Sequence, residues 1–434
     1  MTGDSRLSVG IDFGTTNTVV AVATAAGVSE LIRFPTPQGS KSSAFRSVLS
    51  FRERTGAVAG AMEAGPWAID TFLDDPEATR LIQSFKTFAA SSAFSGTTVF
   101  GKRYQFEDLL AAFLRQVWAR SDGALTGDAP RLIVGRPVVF AGGAPDEALA
   151  MTRYNLAFDR LPHGRRAYAY EPVGAAFFFA KRLEGAATVL VADFGGGTSD
   201  FSVMRFKREG GRLKAAPLGR SGVGVAGDAF DFRVISEVVS PRLGKGSSYR
   251  SGGKLLPIPN RYYSAFARWN QLALMKGSRD MREMHQVART AEDPGALARF
   301  ISLVDNDHGY AMYQAVSRAK ETLSSSDRAR LSFVADEIDI QADITRADFE
   351  RWITPELDAI QGAVDQALAS AQLEAGDIEK VFLTGGSSLV PAVRAIFSSR
   401  FGDAALETGG EFDSIASGLA MIGAEDDPAP WCWS

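Results

Sequence analysis

The chain has 434 residues, 45% of them hydrophobic, and a formal net charge of −4, enough for two domains with substantial cores. The slightly acidic balance argues against nucleic acid or an anionic membrane surface as the main partner. A single cysteine, Cys432, excludes an internal disulfide and any cysteine-built zinc or iron–sulfur site, and three scattered histidines make no metal cluster. The start, MTGDSRLSVG, lacks the basic and apolar regions of a signal peptide, and no apolar run approaches a membrane span, so a cytoplasmic location is expected.

Leu7 to Phe13 and Asn17 to Ala23 read as a hairpin, with a further strand near Leu31 to Phe34. A loop rich in Ser, Gly and Pro follows, and helical periodicity returns over Phe106 to Arg120. Arg131 to Gly135 reads as a short buried strand leading into GRPVVF, followed by a helix from about Asp146 to Phe158 and a strand near Ala167 to Tyr170. Glu171-Pro172 opens an Ala/Phe-rich helix ending near Leu183, since proline suits a first helical turn. A second hairpin begins at Thr188. Between Pro241 and Asp307 the chain reads as a loop and then a helical subdomain, its many Arg and Lys taken as a solvated face. Arg346 to Ser370 reads as one long helix, Val381 to Thr384 as a strand, Leu389 to Phe401 and Ser414 to Gly423 as helices. The tail EDDPAPWCWS has two tryptophans able to pack back on the body. The alternation of strands and helices predicts an α/β protein with mixed sheets.

The two hairpins carry nearly the same phrase: SVGIDFGTTNTVVAVA from Ser8 to Ala23, and VLVADFGGGTSDFSVMRF from Val189 to Phe206. Each is an apolar strand, Asp-Phe-Gly, a turn of glycines and hydroxyls, and a second strand. Glycines let backbone N–H groups approach an anion closely, and Thr15, Thr16 and Thr198 add hydroxyl donors, so the loops point to phosphate. Asp12, Asp193 and Asp200 would repel a bare triphosphate, and they make sense with a divalent cation, Mg²⁺ with its waters, between them. Two such loops predict a duplicated fold gripping one ligand.

Five segments in order then carry a resemblance: GIDFGTTNT, YEPVGAAFFFA, ADFGGGTSDFSV, SRAKETLSSS and FLTGGSSLVPAV. Over roughly residues 8 to 424 the chain resembles the actin/hexokinase/heat-shock ATPase superfamily, and within it the DnaK family of 70-kDa heat-shock proteins, most like the short YegD-type members. That resemblance implies the actin-like ATPase fold: two duplicated ribonuclease-H-like lobes, residues 1–186 and 187–409, around a nucleotide cleft. A helical subdomain of about 228–330 would sit in the second lobe, and 410–434 would return as a helix and tail. It implies ATP or ADP with Mg²⁺ as ligands.

Carried over by position, Gly14, Thr15, Thr16 and Asn17 would meet phosphates from one lobe and Gly195, Gly196, Gly197 and Thr198 from the other. Asp12, Asp193 and Asp200 would hold the metal through water, Asp193 and Asp200 would also help hold the attacking water, and Asp193 and Thr198 would count among the catalytic residues. Lys86, in SFKTFAAS, would be the catalytic cation, with Lys102 and Arg80 as neighbours in sequence, and Glu171 would orient the attacking water. A carboxylate at a helix N-terminus is the other reading of Glu171. Gly227, Lys320, Ser324, Gly385, Gly386 and Ser387 would surround the nucleoside. Glu321, Ser317 and Leu389 depart from the family's arginine, glutamate and arginine, which implies weaker base recognition.

The resemblance also implies a slow ATPase acting as a chaperone-related switch, with an unknown protein partner or client and no nucleic acid or membrane. The sequence ends soon after its last expected helix, so no peptide-binding domain is expected within it. A small-molecule kinase and an actin-like scaffold of the same fold are the alternatives. A Rossmann dehydrogenase is disfavoured, because neither loop offers G-x-G-x-x-G opening a helix after its strand.

Overall fold

The computed structural model describes residues 6–24, 26–53, 61–75, 78–125, 131–162, 164–180, 183, 185–209, 212–268, 271–272, 275–407 and 413–432. Two sheets share one plan. In the first, the order is Arg166–Tyr170, Arg131–Arg136, Arg6–Phe13, Asn17–Thr24, Ser29–Leu31, with Ala44–Arg46 also pairing with Asn17–Thr24. In the second, the order from the matching end is Leu406–Glu407, Lys380–Thr384, Ala187–Phe194, Ser199–Glu209, Arg212–Val223. Each repeated phrase forms an antiparallel hairpin, a further antiparallel strand lies outside it, and two parallel strands lie on the other side. Parallel neighbours need crossovers, and the helices supply them.

The central strand Ala187–Phe194 is buried along its whole length, as its unbroken apolar run requires. One core surrounds the second sheet, another surrounds the first, and a third gathers where helices Glu171–Ala180 and Ser414–Ala424 meet. These two helices occupy matching places after the last strand of each sheet, and they cross through glycines. A Cβ on Gly418 would lie 1.8 Å from the Gly174 carbonyl oxygen, and one on Gly10 would lie 2.3 Å from the Ala416 carbonyl oxygen. Phe179 stacks on Phe382 with ring centroids 4.2 Å apart, tying the first helix to the second sheet. Trp431 packs edge-on against Phe177 at 5.2 Å, as expected of the tail, whereas Trp433 lies outside the described residues.

Several expectations are corrected. The supposed loop before Phe106 contains a three-stranded sheet, Met62–Ala64, Val48–Arg52 and Thr79–Gln83, with helix Pro66–Asp74 against it. Its strands are too short to show a period. The 241–307 region opens with a β-hairpin, Ser248–Ser251 with Lys254–Pro257, before helices Asn260–Phe266, Arg279–Ala288 and Pro294–Asp305. The long helix from Arg346 is two, Arg346–Trp352 and Thr354–Ala371, broken where Pro355 occupies a first turn. Before the first of them lies an unforeseen hairpin, Arg328–Ala335 with Ile338–Thr345. Helix Glu171–Ala180 stops short of Leu183, and the helix expected from Leu389 starts at Pro391 after a 3-10 turn.

Candidate functional site

The two repeated turns close in the same way. The Gly14 N–H donates to the Asn17 carbonyl at 3.0 Å, and the Gly195 N–H to the Thr198 carbonyl at 2.9 Å. The turns face each other: a Cβ on Gly196 would sit 2.6 Å from Thr16 Oγ1, and one on Gly197 would sit 3.3 Å from Thr15 Oγ1. Between and beside them opens a cavity of about 790 Å³. Gly14, Thr15, Thr16, Asn17, Gly195, Gly196 and Thr198 line it, together with Asp12, Lys86, Glu171 and Asp193. So do Gly227, Lys320, Ser324, Gly385, Gly386 and Ser387. Gly197 and Asp200 are the expected site residues that do not.

Asp12 and Asp193 are each the penultimate residue of a central strand, so the duplicated topology brings their carboxylates to one floor. Burial, and then the Glu171 carboxylate, push Asp12 up to about 7, partly offset by Lys86. Asp193 is held well above the carboxylate range by burial and by Glu171, Asp12 and Asp200. Opposite stands an ion pair: Lys86 Nζ donates to Glu171 Oε1 at 2.8 Å, with both side chains buried. Burial opposes the Lys86 charge, but Glu171, Asp12 and the hydrogen bond outweigh it and hold the ammonium above the usual lysine range. Lys86 sits in a short 3-10 turn entered through Ser84 at φ 48°, and Glu171 is the first residue of its helix. Lys102 lies elsewhere, exposed over the Tyr104 ring.

Asp200 sits behind Thr198. Its Oδ1 accepts the Val138 and Val139 N–H groups at 2.6 and 3.1 Å, so it fastens the GRPVVF segment to the second hairpin. Its Oδ2 is buried without a well-formed hydrogen bond. Burial, then Glu171, push Asp200 up to about 7 despite the Thr198 hydroxyl and the two amides. In the first hairpin the matching register position is Val19, opposite Asp12, so this third carboxylate belongs to one copy alone.

The other end of the cavity is built by helix Gly309–Ser325 and the turn after strand Lys380–Thr384. Gly385 has φ +82°, and a Cβ there would lie 2.0 Å from the Phe194 carbonyl oxygen, so glycine is required. Gly227 lies where a Cβ would come 3.1 Å from Ser387 Oγ and 3.5 Å from Lys320 Nζ. Lys320 is committed: its Nζ is 2.7 Å from the Asp231 carboxylate and donates to the Gly227 carbonyl at 3.3 Å. Ser324 donates back to the Lys320 carbonyl at 3.3 Å. Leu389, 51% exposed, and Glu321 line this end.

Some lining residues escaped the sequence reading. Arg46 reaches the Asn17 side-chain oxygen at 3.4 Å from what read as loop. Asp228 is raised to about 6 by burial and by Asp231, against Lys320 and Arg46. The acidic pair three apart after Gly227 was a readable signal. Tyr310 and Tyr313 also line the cavity, and their helical spacing with Ser317 and Ser324 was the available clue.

Residues 304–428 match the family model described as Hsp70 protein. Over that part the chain is similar to the Hsp70 family. Its mixed α/β architecture is the actin-like ATPase fold. It is 26% identical over 432 residues to a chaperone protein DnaK of Picrophilus torridus, covering 96% of this chain and 57% of that protein. It is 26% identical over 437 residues to a chaperone protein DnaK of Thermus thermophilus, covering 95% of this chain and 60% of that one. The chain thus spans less than two thirds of the length of these relatives. Among the described residues no helix is long and apolar enough to cross a membrane.

Proposed function

We propose that this protein binds Mg·ATP in the cavity and hydrolyses it slowly, using lobe closure as a chaperone-related switch on a protein partner or client. The observation that carries this reading is the pair of matching glycine–hydroxyl turns, closed by the same hydrogen bond and facing each other above two carboxylates, Asp193 buried and Asp12 half-buried. In this reading the N–H groups and hydroxyls of Gly14 to Asn17 and Gly195 to Thr198 take the phosphates. The nucleoside lies toward Gly227, Lys320, Ser324 and Gly385 to Ser387. The lobes divide at about residue 187 and residue 410, around the cavity.

The carboxylate set suits a cation. Burial and Glu171 raise both Asp12 and Asp193, Asp12 further raises Asp193, and Asp200 Oδ2 is buried without a well-formed hydrogen bond. Among the described residues no three His, Cys, Asp or Glu side chains converge to ligate a metal directly, so Mg²⁺ would be held through water. When bound it would neutralise charge on the phosphates. Glu171 would accept a hydrogen bond from the attacking water and so orient it. Lys86 gives one donor to Glu171 and keeps two more for phosphate oxygens. Thr198 would add a hydroxyl donor beside them.

Calorimetry with ATP and Mg²⁺ together with a phosphate-release assay tests this. Binding and slow release are expected, and Asp193→Asn should abolish turnover while keeping the native circular dichroism. Absence of nucleotide binding in the presence of Mg²⁺ would sink the reading.

A further inference from the structure

The cleft leaves one strongly charged region unexplained. Residues 242–289 hold ten Lys and Arg against two acids, in a chain with more acids than bases overall. Those two acids are consumed locally: Asp280 and Glu283 pair with Arg261, and Glu283 also with Arg279. Arg250 and Lys276 pair with Glu292 and Asp307 outside the segment, and the remaining excess of cations still gives it net positive charge.

Its hairpin has one closed edge and one open edge. The Ile258 N–H donates to the Ser247 carbonyl at 3.0 Å, which makes 247/258 a hydrogen-bonded pair. Alternation then makes 249/256 and 251/254 the next bonded pairs. Arg250 and Ser248 turn their backbone outward on one side, where Arg250 N–H meets the Thr290 carbonyl at 2.8 Å and the Ser248 carbonyl meets Glu292 N–H at 2.9 Å. On the other side Leu255 turns its N–H and carbonyl outward and Pro257, which has no N–H, its carbonyl alone, and no described strand pairs with them. All four residues of Lys254–Pro257 are exposed. Lys254 and Arg289 are exposed cations with no ion pair among the described residues.

We propose that this open edge, strand Lys254–Pro257, receives an acidic, extended segment of a partner protein as an added strand. Leu255 supplies the backbone hydrogen bonds and an apolar contact, Lys254 supplies charge at the edge, and Arg289, next to Thr290 on the closed side, adds longer-range attraction; Arg250 is already paired with Glu292 at 3.6 Å. An acidic peptide fits better than the other anionic partners. Nucleic acid would need stacking platforms, and Tyr262, Tyr263 and Phe266 of this region are buried. A membrane would need one apolar face, whereas Leu255 and Leu256 are adjacent in a strand and point to opposite sides. The inference does not depend on nucleotide binding.

The probe is a fluorescent peptide of about a dozen residues alternating Glu and Val, a length sufficient to pair along one edge strand. Its anisotropy is followed during titration with the full chain. Binding that weakens with salt is expected, with a loss of about tenfold or more in the Lys254→Glu/Arg289→Glu variant. The same peptide with alternate backbone amides methylated should bind at least about tenfold more weakly, because it cannot complete the edge. Equal binding by a Lys/Val peptide, unchanged affinity in the double variant, or tighter binding of a single-stranded oligonucleotide would each overturn the proposal. So would a methylated peptide that binds as well as the parent.

Discussion

The two ends of the cavity are built on different physics. At the inner end the charged groups are buried or half-buried, and two of them are fastened directly: Lys86 by Glu171, and Asp200 by two backbone amides. At the outer end Leu389 is half exposed, Glu321 is exposed, and Lys320 is tied to Asp231 rather than offered to a ligand. The inner end is a preorganised electrostatic device that resists change. The outer end is a shaped surface with few fixed contacts. On the proposed reading, a ligand would be gripped firmly at one end and loosely at the other.

The hardest blow to that contrast is to remove half of the buried pair. Lys86→Met leaves Glu171 buried beside Asp12 and Asp193, and should cost about 3–5 kcal/mol of stability in urea unfolding. Glu171→Gln in the same background should recover part of that loss. If Lys86→Met proves neutral, the inner end is not the tightly coupled network described. For turnover, Thr198→Ala is expected to lower phosphate release by roughly ten- to a hundredfold, the range set by losing one preorganised donor. Ser324→Ala, whose hydroxyl is spent on its own helix, should change release by less than about threefold, within the modest worth of one such hydrogen bond.

Acidity offers a third probe. Asp12 titrates near 7 in the folded chain and near its ordinary value when unfolded. The unfolded state loses its proton first as pH rises, so stability falls from about pH 4 to about pH 7 and is level above that. Asp12→Asn removes this contribution. The variant should melt several degrees above the parent at alkaline pH, with the gap closing on acidification, as thermal denaturation across that window will report. A gap independent of pH would contradict the assigned burial. The smallest effect belongs to the outer end. ATP and GTP should bind with comparable affinity, and Glu321→Arg should tighten ATP by roughly five- to thirtyfold if the new guanidinium reaches the base, about 1–2 kcal/mol. A strong native preference for adenine would show that the outer end reads the base after all.

What could be read from sequence divides along the same line. The paired glycine–hydroxyl turns are legible because glycine, hydroxyl and aspartate fall within eight consecutive residues, and the topology then duplicates them. Lys86 and Glu171 lie 85 residues apart, yet both were named from local phrases, SFKTFAAS and YEPVGAAFFFA. Arg46 was invisible because its three-residue strand has no period, and only the fold carries it to Asn17. Hairpin Arg328–Ala335 with Ile338–Thr345 alternates buried and exposed residues along its first strand, so it was readable and was overlooked. Asp200 was named from its phrase, but nothing local reveals that Val138 and Val139 claim one of its oxygens.

The crossing of Gly418 over Gly174 sets a mechanical rule for the whole molecule. Side chains between helices act as compressible cushions, letting one helix slide over another by changing rotamer. Here main chain rests directly on main chain, so there is no cushion to deform. In the proposed lobe closure, movement of the two sheets would be confined to turning about that spot, and the far rim of the cavity would travel much further than its floor. The carboxylates and Lys86 would lie toward the still part of that arc, and the proposed nucleoside end toward the part that swings.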